Sequence, residues 1–130
     1  MNKFKYTLVS LFSGGGGMDL GFEKVGFKSL LCSDIEKNAC KTLEINRIGD
    51  QILHKPIEEI TNEELKNNVS VSNLDAVIGG PPCPAFSKSR FYRKEMTHGT
   101  SDSSFSTVID FFRVVKILRP KFFVFENVQT

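Results

Sequence analysis

Short apolar runs alternate along this chain with longer stretches in which apolar residues recur every three or four positions. The apolar runs predict strands at 7–12, 28–33, 51–54, 75–79 and 121–126. The periodic stretches between them predict helices at 18–25, 36–46, 61–68 and 107–118, and the polar stretch 87–106 predicts a long loop. Strands that alternate with helices favour an α/β fold, a Rossmann-like, doubly wound and mostly parallel sheet.

Chemically distinctive residues stand at the ends of four predicted strands. Gly14–Gly17 follow the first strand, Asp34 the second and Cys83 the fourth, and Glu126 ends the fifth. In a parallel sheet the carboxyl ends of the strands share one edge, and ligands collect beyond that edge. The sequence therefore predicts a functional site there.

The four glycines after the first strand have the properties of a cofactor cradle. Residues without Cβ let backbone amides approach an anionic group, although a plain tight turn is the alternative. No GK[ST] follows, which disfavours a triphosphate site. Asp34 suits a ribose diol, with a helix N-cap as its alternative role. Together the two features point to an adenosine-containing cofactor.

The thiol of Cys83 stands in an unusual setting, between two glycines and two prolines on one side and Pro84 on the other. So rigid a backbone suits a preorganised nucleophile better than a buried inert thiol. Cys32 and Cys40 lie in apolar patterns and are expected in the core. Glu126 ends an apolar strand, where an unpaired carboxylate would be costly, so we expect it to be paired or to act in the chemistry.

Composition restricts the class of protein. The chain has 130 residues, 40% of them hydrophobic, with twelve phenylalanines, which is enough for one domain with a real core. A net charge of +2 neither requires nor excludes a polyanionic partner. Three cysteines without a CxxC pair favour neither a disulfide framework nor a metal site. No signal peptide and no apolar run near the ~20 residues of a membrane span are present, so we expect a cytoplasmic protein, nucleoid-associated if bacterial.

Four segments, in matching order and spacing, resemble the motifs of the cytosine-5 DNA methyltransferases, and the resemblance covers essentially the whole chain. "LFSGGGGMDLGFE" (11–23) is similar to the motif that binds S-adenosylmethionine, and "SDIEKNACKTLEIN" (33–46) to the motif that follows it. "GGPPCPAFSKS" (79–89) is similar to the catalytic motif, and "FENV" (125–128) to the motif whose glutamate holds the target cytosine. The resemblance implies an incomplete methyltransferase-type fold, with 1–130 as the cofactor-binding and catalytic half and no target-recognition region.

The resemblance also implies a role for individual residues. Cys83 is the implied nucleophile, Glu126 the implied contact near ring N3, Asp34 the ribose ligand, and Ile35 the neighbour of the adenine. The implied ligands of S-adenosylmethionine and its product S-adenosylhomocysteine are Phe12, Gly14, Gly16, Gly17, Asp34, Ile35, Ile57, Gly80 and Pro82. The implied substrate-binding residues are Ser87 and Asn127, of which Asn127 helps to fix the strand end.

The implied reaction is methyl transfer to C5 of a flipped cytosine in double-stranded DNA, within a restriction-modification system. Cytosine C5 is a poor nucleophile, so a thiolate first adds at C6 and pushes electron density onto C5. The base must leave the duplex to be attacked from its face. The loop residues Lys88, Arg90, Arg93 and Lys94 could close over phosphates or form a solvated surface.

Several positions depart from the family's usual pattern. Pro56 stands before Ile57 where an acidic residue is common, which puts the family's contact to the adenine amino group in question. Ser104 and Thr107 replace a frequent arginine and leucine, which affects the closing loop and one wall of the cofactor pocket, and Pro84 replaces a frequent glutamine.

The family's later motifs do not appear before the chain ends. We expect either a truncated chain or one subunit of a split enzyme, inactive alone and completed by a C-terminal half or complementary subunit. Two other functions stay open, a non-catalytic partner-binding module of this fold and a Rossmann-type NAD-dependent oxidoreductase. Met18 and Asp19 follow the glycines where a dinucleotide fingerprint ends in glycine or alanine, and an oxidoreductase would leave the cysteine motif without a role.

Overall fold

The computed structural model of the chain describes residues 3–82 and 103–127. Its strands are β1 (Tyr6–Leu11), β2 (Phe27–Asp34), β3 (Gln51–His54), β4 (Ala76–Gly79) and β5 (Phe122–Phe125). Its helices are α1 (Gly17–Glu23), α2 (Lys37–Ile45), α3 (Asn62–Asn68) and α4 (Ser103–Leu118), with 3₁₀ turns at Ile57–Glu59 and Val71–Asn73. None of these helices has the length and apolarity that a membrane span requires.

The strands form one parallel sheet in the order β3-β2-β1-β4-β5. The chain runs outward from β1 to β3, returns to place β4 beside β1, and continues outward to β5. The direction of winding therefore changes between β1 and β4, and a crevice forms beyond the carboxyl ends of the strands at such a point. This confirms the predicted Rossmann-like α/β fold.

Apolar side chains cover both faces of the sheet because successive residues of a strand point to opposite sides. Val9 and Leu11 pack on one face in a large cluster with residues of α3 and α4, including the fully buried Phe111. Leu8 and Ile78 pack on the other face against apolar residues around α1. The sheet is thus held between two layers of helices, which fixes the positions of the strand ends.

Three details of the predicted elements are wrong. Helix α4 begins at Ser103, inside the stretch expected to be loop. Strand β1 ends at Leu11, and the next residue, Phe12, takes a left-handed backbone conformation with φ 52°. The helix predicted at 18–25 spans Gly17–Glu23, and the apolar Leu20 is 44% exposed whereas the charged Asp19 is 1% exposed.

Candidate functional site

A cavity of about 490 Å³ lies beyond the carboxyl ends of β1 to β4. That volume is within the range of small-molecule sites, about 300–1,000 Å³. Six of the predicted cofactor-binding residues line it: Phe12, Asp34, Ile35, Ile57, Gly80 and Pro82. The structure therefore brings together, at the edge that the sequence predicts, residues that are up to seventy positions apart in the chain.

The carboxylate of Asp34 joins the end of β2 to the glycine loop. Its Oδ2 accepts a hydrogen bond from the Gly14 amide at 2.8 Å, and its Oδ1 accepts one from the Glu36 amide at 2.9 Å. Glu36 is the N-cap residue of α2, so Asp34 does not take the alternative N-cap role. An ionised carboxylate has about four acceptor positions, so Asp34 retains capacity to accept from the hydroxyls of a ribose.

The glycine loop lies beside the cavity and reaches it through Asp34. Gly14, Gly16 and Gly17 are not among the described residues that line the cavity. Gly16 has a packing requirement of its own, because its φ is 89° and an added Cβ would lie 2.6 Å from the Ile48 side chain. The predicted cradle role of the loop therefore stays a prediction, while the need for glycine at position 16 has a structural cause.

Apolar side chains contribute to the lining of the cavity next to Asp34. The register of β2 and β3 pairs Asp34 with His54, so the residues after these two strands lie next to each other. His54 Nε2 and the Ile35 carbonyl oxygen are 3.0 Å apart, which ties the two segments together. The Ile35 side chain is 62% exposed, although Ile57 beyond β3 is buried. An exposed isoleucine that lines the cavity is suited to contact with a planar ring.

Glu126 lies against the backbone of Gly80. The pairing of β4 with β5 places Gly79 beside Phe125, and the Glu126 amide donates to the Gly79 carbonyl at 3.0 Å. A Cβ on Gly80 would lie 2.5 Å from Glu126 Oε2, so only glycine leaves room for this carboxylate. Glu126 is exposed, so the expected cost of burying its charge does not arise. Asn127 follows directly along the chain.

Two of the three cysteines are confirmed as core thiols. Cys32 and Cys40 are buried and form no disulfide. Burial raises the pKa of both thiols, and the carboxylates of Asp19 and Asp34 raise them further, respectively. Because the thiolate is the nucleophilic form, both are poor nucleophiles at neutral pH. Among the cysteines, this leaves Cys83 as the candidate.

Cys83 and Ser87 lie outside the described residues, as do Pro84 and the basic residues of the predicted loop. The residue before the cysteine, Pro82, is described and lines the cavity. Thr107 also lines it, in agreement with the expectation that this position forms a pocket wall.

Asp19 is a buried carboxylate whose role the sequence does not indicate. It accepts hydrogen bonds from Ser10 Oγ at 2.8 Å, Ser29 Oγ at 2.7 Å and Cys32 Sγ at 3.3 Å. The Ser10 and Ser13 hydroxyl oxygens are 2.7 Å apart, which connects this network to the residue before the glycine loop. The sequence signal for it is the presence of serines within the first two strands.

Three charged residues also line the cavity in positions that no sequence motif indicates, namely Glu36, Lys55 and Glu58. The Lys55 ammonium is bound by Glu64 Oε2 at 2.8 Å. The charge that the cavity presents to a ligand is therefore mainly that of carboxylates.

Comparison with protein families gives one domain match that covers almost the whole chain. Residues 6–130 match the model of the C-5 cytosine-specific DNA methylase. The matched segment contains every residue that lines the cavity.

Comparison with individual proteins gives relatives among bacterial DNA methyltransferases. The chain is 38% identical over 122 residues to the type II methyltransferase M1.HphI of Haemophilus parahaemolyticus, covering 94% of this chain and 32% of that protein. It is 40% identical over 124 residues to M.AquIA of Picosynechococcus, covering 94% of this chain and 48% of that protein. The chain thus spans between about a third and a half of the length of these relatives.

Two solved structures have the same fold. One is a prophage-encoded E. coli protein described as a DNA modification methyltransferase, with a TM-score of 0.71 and 30% identity over 96% of this chain and 32% of that one. The other, a DNMT2 mutant of Spodoptera frugiperda, is similar in fold alone, with a TM-score of 0.66 at 20% identity over 95% of this chain and 36% of that one.

Proposed function

Because this chain belongs to the C-5 cytosine-specific DNA methylase family, we propose that it is the cofactor-binding and catalytic half of a DNA (cytosine-5)-methyltransferase. The observation that carries the proposal is the cavity at the carboxyl edge, which collects Asp34, Ile35, Ile57, Gly80 and Pro82. The relatives are named type II methyltransferases, which supports a place in a restriction-modification system.

The residues that line the cavity fit the adenosine end of S-adenosylmethionine. Asp34 would accept hydrogen bonds from the ribose hydroxyls with the acceptor positions that Gly14 and Glu36 leave unused. Ile35 and Ile57 would hold the adenine between apolar side chains, and Phe12 and Pro82 would complete the wall. When bound, S-adenosylmethionine supplies the electrophilic methyl group of the reaction.

Cys83 would supply the nucleophile. Its thiolate would form a carbon–sulfur bond to C6 of the cytosine, and the electron pair displaced from the C5–C6 double bond would make C5 nucleophilic. After C5 has taken the methyl group, a base would remove the C5 proton and the carbon–sulfur bond would break. This restores the aromatic ring and the free thiolate. Pro82, the residue before Cys83 in the sequence, lines the cavity, which supports a catalytic role for Cys83.

Glu126 would hold the ring that Cys83 attacks. Its carboxylate lies over Gly80, three positions before Cys83 along the chain and in the strand-end segment that leads to it. A carboxyl group near ring N3 would stabilise the charge that develops on the ring as sulfur adds. Asn127 would fix the end of the strand that presents Glu126.

The substrate would be a cytosine turned out of double-stranded DNA, because the ring is attacked from its face. The 130 residues correspond to about a third of most of the relatives, and we expect them to need the sequence that those relatives carry in addition. On their own they should bind the methyl donor without methylating DNA. The recognition sequence would be read by that additional part.

The proposal is tested by trapping the covalent step on DNA that contains 5-fluorocytosine. Fluorine cannot leave as a proton does, so the adduct persists after methylation. The protein used should carry this chain together with the additional sequence of the relatives, as wild type, Cys83→Ser and Cys40→Ser. Denaturing electrophoresis and peptide mapping should place the DNA on Cys83 in the wild type and in Cys40→Ser.

Cys83→Ser should form no adduct and should still bind S-adenosylhomocysteine, because the sulfur attacks the base and does not hold the cofactor. An adduct on Cys32 or Cys40, or wild-type turnover by Cys83→Ser, would contradict the assignment.

A further inference from the structure

We propose that Glu58 recognises the exocyclic amino group of the adenine in this cavity and thereby selects adenosine cofactors. The inference rests on the proposed function, since it assumes that the cavity takes an adenosine. It concerns the wall of the cavity formed by Pro56, Ile57 and Glu58. Pro56 stands directly before Ile57, so this wall has no acidic side chain at that position.

The position of this wall relative to the ribose site follows from the sheet. Asp34 at the end of β2 is paired with His54 at the end of β3, so Ile35 and the segment Pro56–Glu58 leave the sheet side by side. Asp34, Ile35 and the segment Pro56–Glu58 line the cavity. A ring attached to a ribose at Asp34 and lying on Ile35 would therefore present one edge to the Pro56–Glu58 segment.

The backbone carbonyls of Pro56 and Ile57 already accept hydrogen bonds. The Pro56 carbonyl accepts from the Glu59 amide at 3.0 Å. The Ile57 carbonyl accepts from the Ile60 amide at 3.1 Å and from Arg113 Nη2 at 3.0 Å, so both of its lone pairs are occupied. Proline has no side-chain acceptor. The Pro56 carbonyl keeps one free lone pair, so the strongest acceptor that this wall can offer to an amino group is a charged side chain.

Glu58 offers that acceptor. Its side chain is exposed and lines the cavity, and within residues 3–82 and 103–127 no donor is bonded to its carboxylate. The Lys55 ammonium, the nearest cation in sequence, is held by Glu64. Glu59, the next residue in the same 3₁₀ turn, is also exposed but does not line the cavity. Glu59 is therefore a matched control for Glu58, because it has the same charge and a neighbouring position but does not line the cavity.

The chemistry predicts discrimination between two ring systems of the same shape. The amino group of adenine donates to a carboxylate, whereas the 6-oxo group of hypoxanthine is an acceptor and is repelled by it. A glutamine at position 58 can accept through its oxygen or donate through its nitrogen, so it should bind both rings. Wild type should therefore prefer S-adenosylhomocysteine over S-inosylhomocysteine, and Glu58→Gln should not.

The test is calorimetric titration of the 130-residue chain with these two ligands. Wild type, Glu58→Gln, Glu59→Gln and Glu36→Gln are compared, and the melting temperature of each is measured to confirm folding. A hydrogen bond to a charged group at a partly exposed site should give wild type and Glu59→Gln roughly a tenfold preference for the adenine ligand. Glu58→Gln should reduce that preference to about twofold or less, mainly by binding the hypoxanthine ligand more tightly.

Each other outcome overturns the inference. If Glu58→Gln keeps the wild-type preference, Glu58 does not read the amino group. If Glu36→Gln alone loses the preference, the carboxylate of Glu36 and not that of Glu58 recognises the amino group. If wild type binds both ligands equally, no residue reads it, although the adenosine site itself stands. If wild type binds neither ligand, the proposed cofactor site is contradicted as well. The titrations of the wild-type chain are enough to show this result.

Discussion

Two neighbouring glycines, Gly79 and Gly80, should respond in opposite ways to the same added methyl group. In Gly79→Ala the new Cβ would lie 2.6 Å from the Leu11 carbonyl oxygen and 3.0 Å from the Phe111 ring. Leu11 belongs to the paired strand and Phe111 is fully buried, so neither can move away without disturbing the sheet or the core. In Gly80→Ala the Cβ would meet Glu126 Oε2 at 2.5 Å. That atom is the far end of an exposed side chain.

The expected magnitudes follow from what must move. Overpacking against fixed atoms costs about 1–3 kcal/mol, and contact with a backbone carbonyl places Gly79→Ala near the upper end. For a domain of this size that loss lowers the melting temperature by roughly 10 °C. Gly80→Ala should change stability by less than about 1 kcal/mol, because the glutamate can rotate and because alanine restricts the unfolded chain.

Gly80→Ala should have a large effect on activity although its effect on stability is small. The Glu126 carboxylate must move from 2.5 Å to at least 3.4 Å from the new Cβ to reach an ordinary contact. A displacement near 1 Å in a group that positions the reacting ring can reduce the rate about 100-fold. Gly80→Ala should therefore lose most methyl transfer, in a protein that includes the relatives' additional sequence, while retaining its fold.

Stability is measured by thermal and denaturant unfolding of the chain, and activity by transfer of a labelled methyl group to DNA. Equal destabilisation by the two substitutions would refute the structural reasoning, since it would mean that Glu126 cannot move away. Full methyl transfer by Gly80→Ala would refute the role given to the position of Glu126.

Two further predictions concern buried groups. The Lys121 ammonium and the Thr7 amide donate hydrogen bonds to the Asp75 carboxylate, and these bonds lower its pKa. The stabilisation by Asp75 should therefore be fully present above its unfolded pKa of about 3.9. It should be lost as the pH falls through the lower pKa of the folded state. Asp75→Asn should therefore lower the free energy of unfolding by about 1–3 kcal/mol at pH 7 and by less in acid, and denaturant curves at both pH values that show equal losses would contradict this. Burial and the Asp19 carboxylate raise the pKa of the Cys32 thiol. Iodoacetamide should therefore leave Cys32 unlabelled in the folded chain at pH 7.5 and label it in denaturant, as measured by mass spectrometry. Labelling of Cys32 in the folded chain would contradict its assignment as an unreactive core thiol.

The sequence could predict the sheet and its functional edge because both depend on local patterns. Each strand is a short apolar run bounded by turn residues, and Asp34 and Glu126 stand at strand ends that the alternation of elements brings to one side. The cavity confirms that edge as a place where Asp34, Ile35 and Gly80 meet.

The rest depends on contacts between elements that periodicity does not contain. From the sequence, the charged Asp19 would be expected on the surface of α1. Its burial is favourable because α1 packs where the Ser10 and Ser29 hydroxyls donate hydrogen bonds to its carboxylate. The acidic character of the cavity depends on Glu64 of α3, which forms an ion pair with Lys55 beyond the end of β3. The exposure of Glu126 likewise depends on β5 being the outermost described strand.

The central claim, that the cavity binds the adenosine of S-adenosylmethionine, is tested most directly by calorimetric titration of the chain with S-adenosylhomocysteine and with NAD. Ile35→Ala is compared with Ile45→Ala, since both side chains are largely exposed, at 62% and 70%, but only Ile35 lines the cavity. S-adenosylhomocysteine should bind in preference to NAD, and Ile35→Ala should weaken it about tenfold through lost apolar contact while Ile45→Ala leaves it unchanged. NAD binding that equals or exceeds that of S-adenosylhomocysteine, or equal effects of the two alanine substitutions, would contradict the claim.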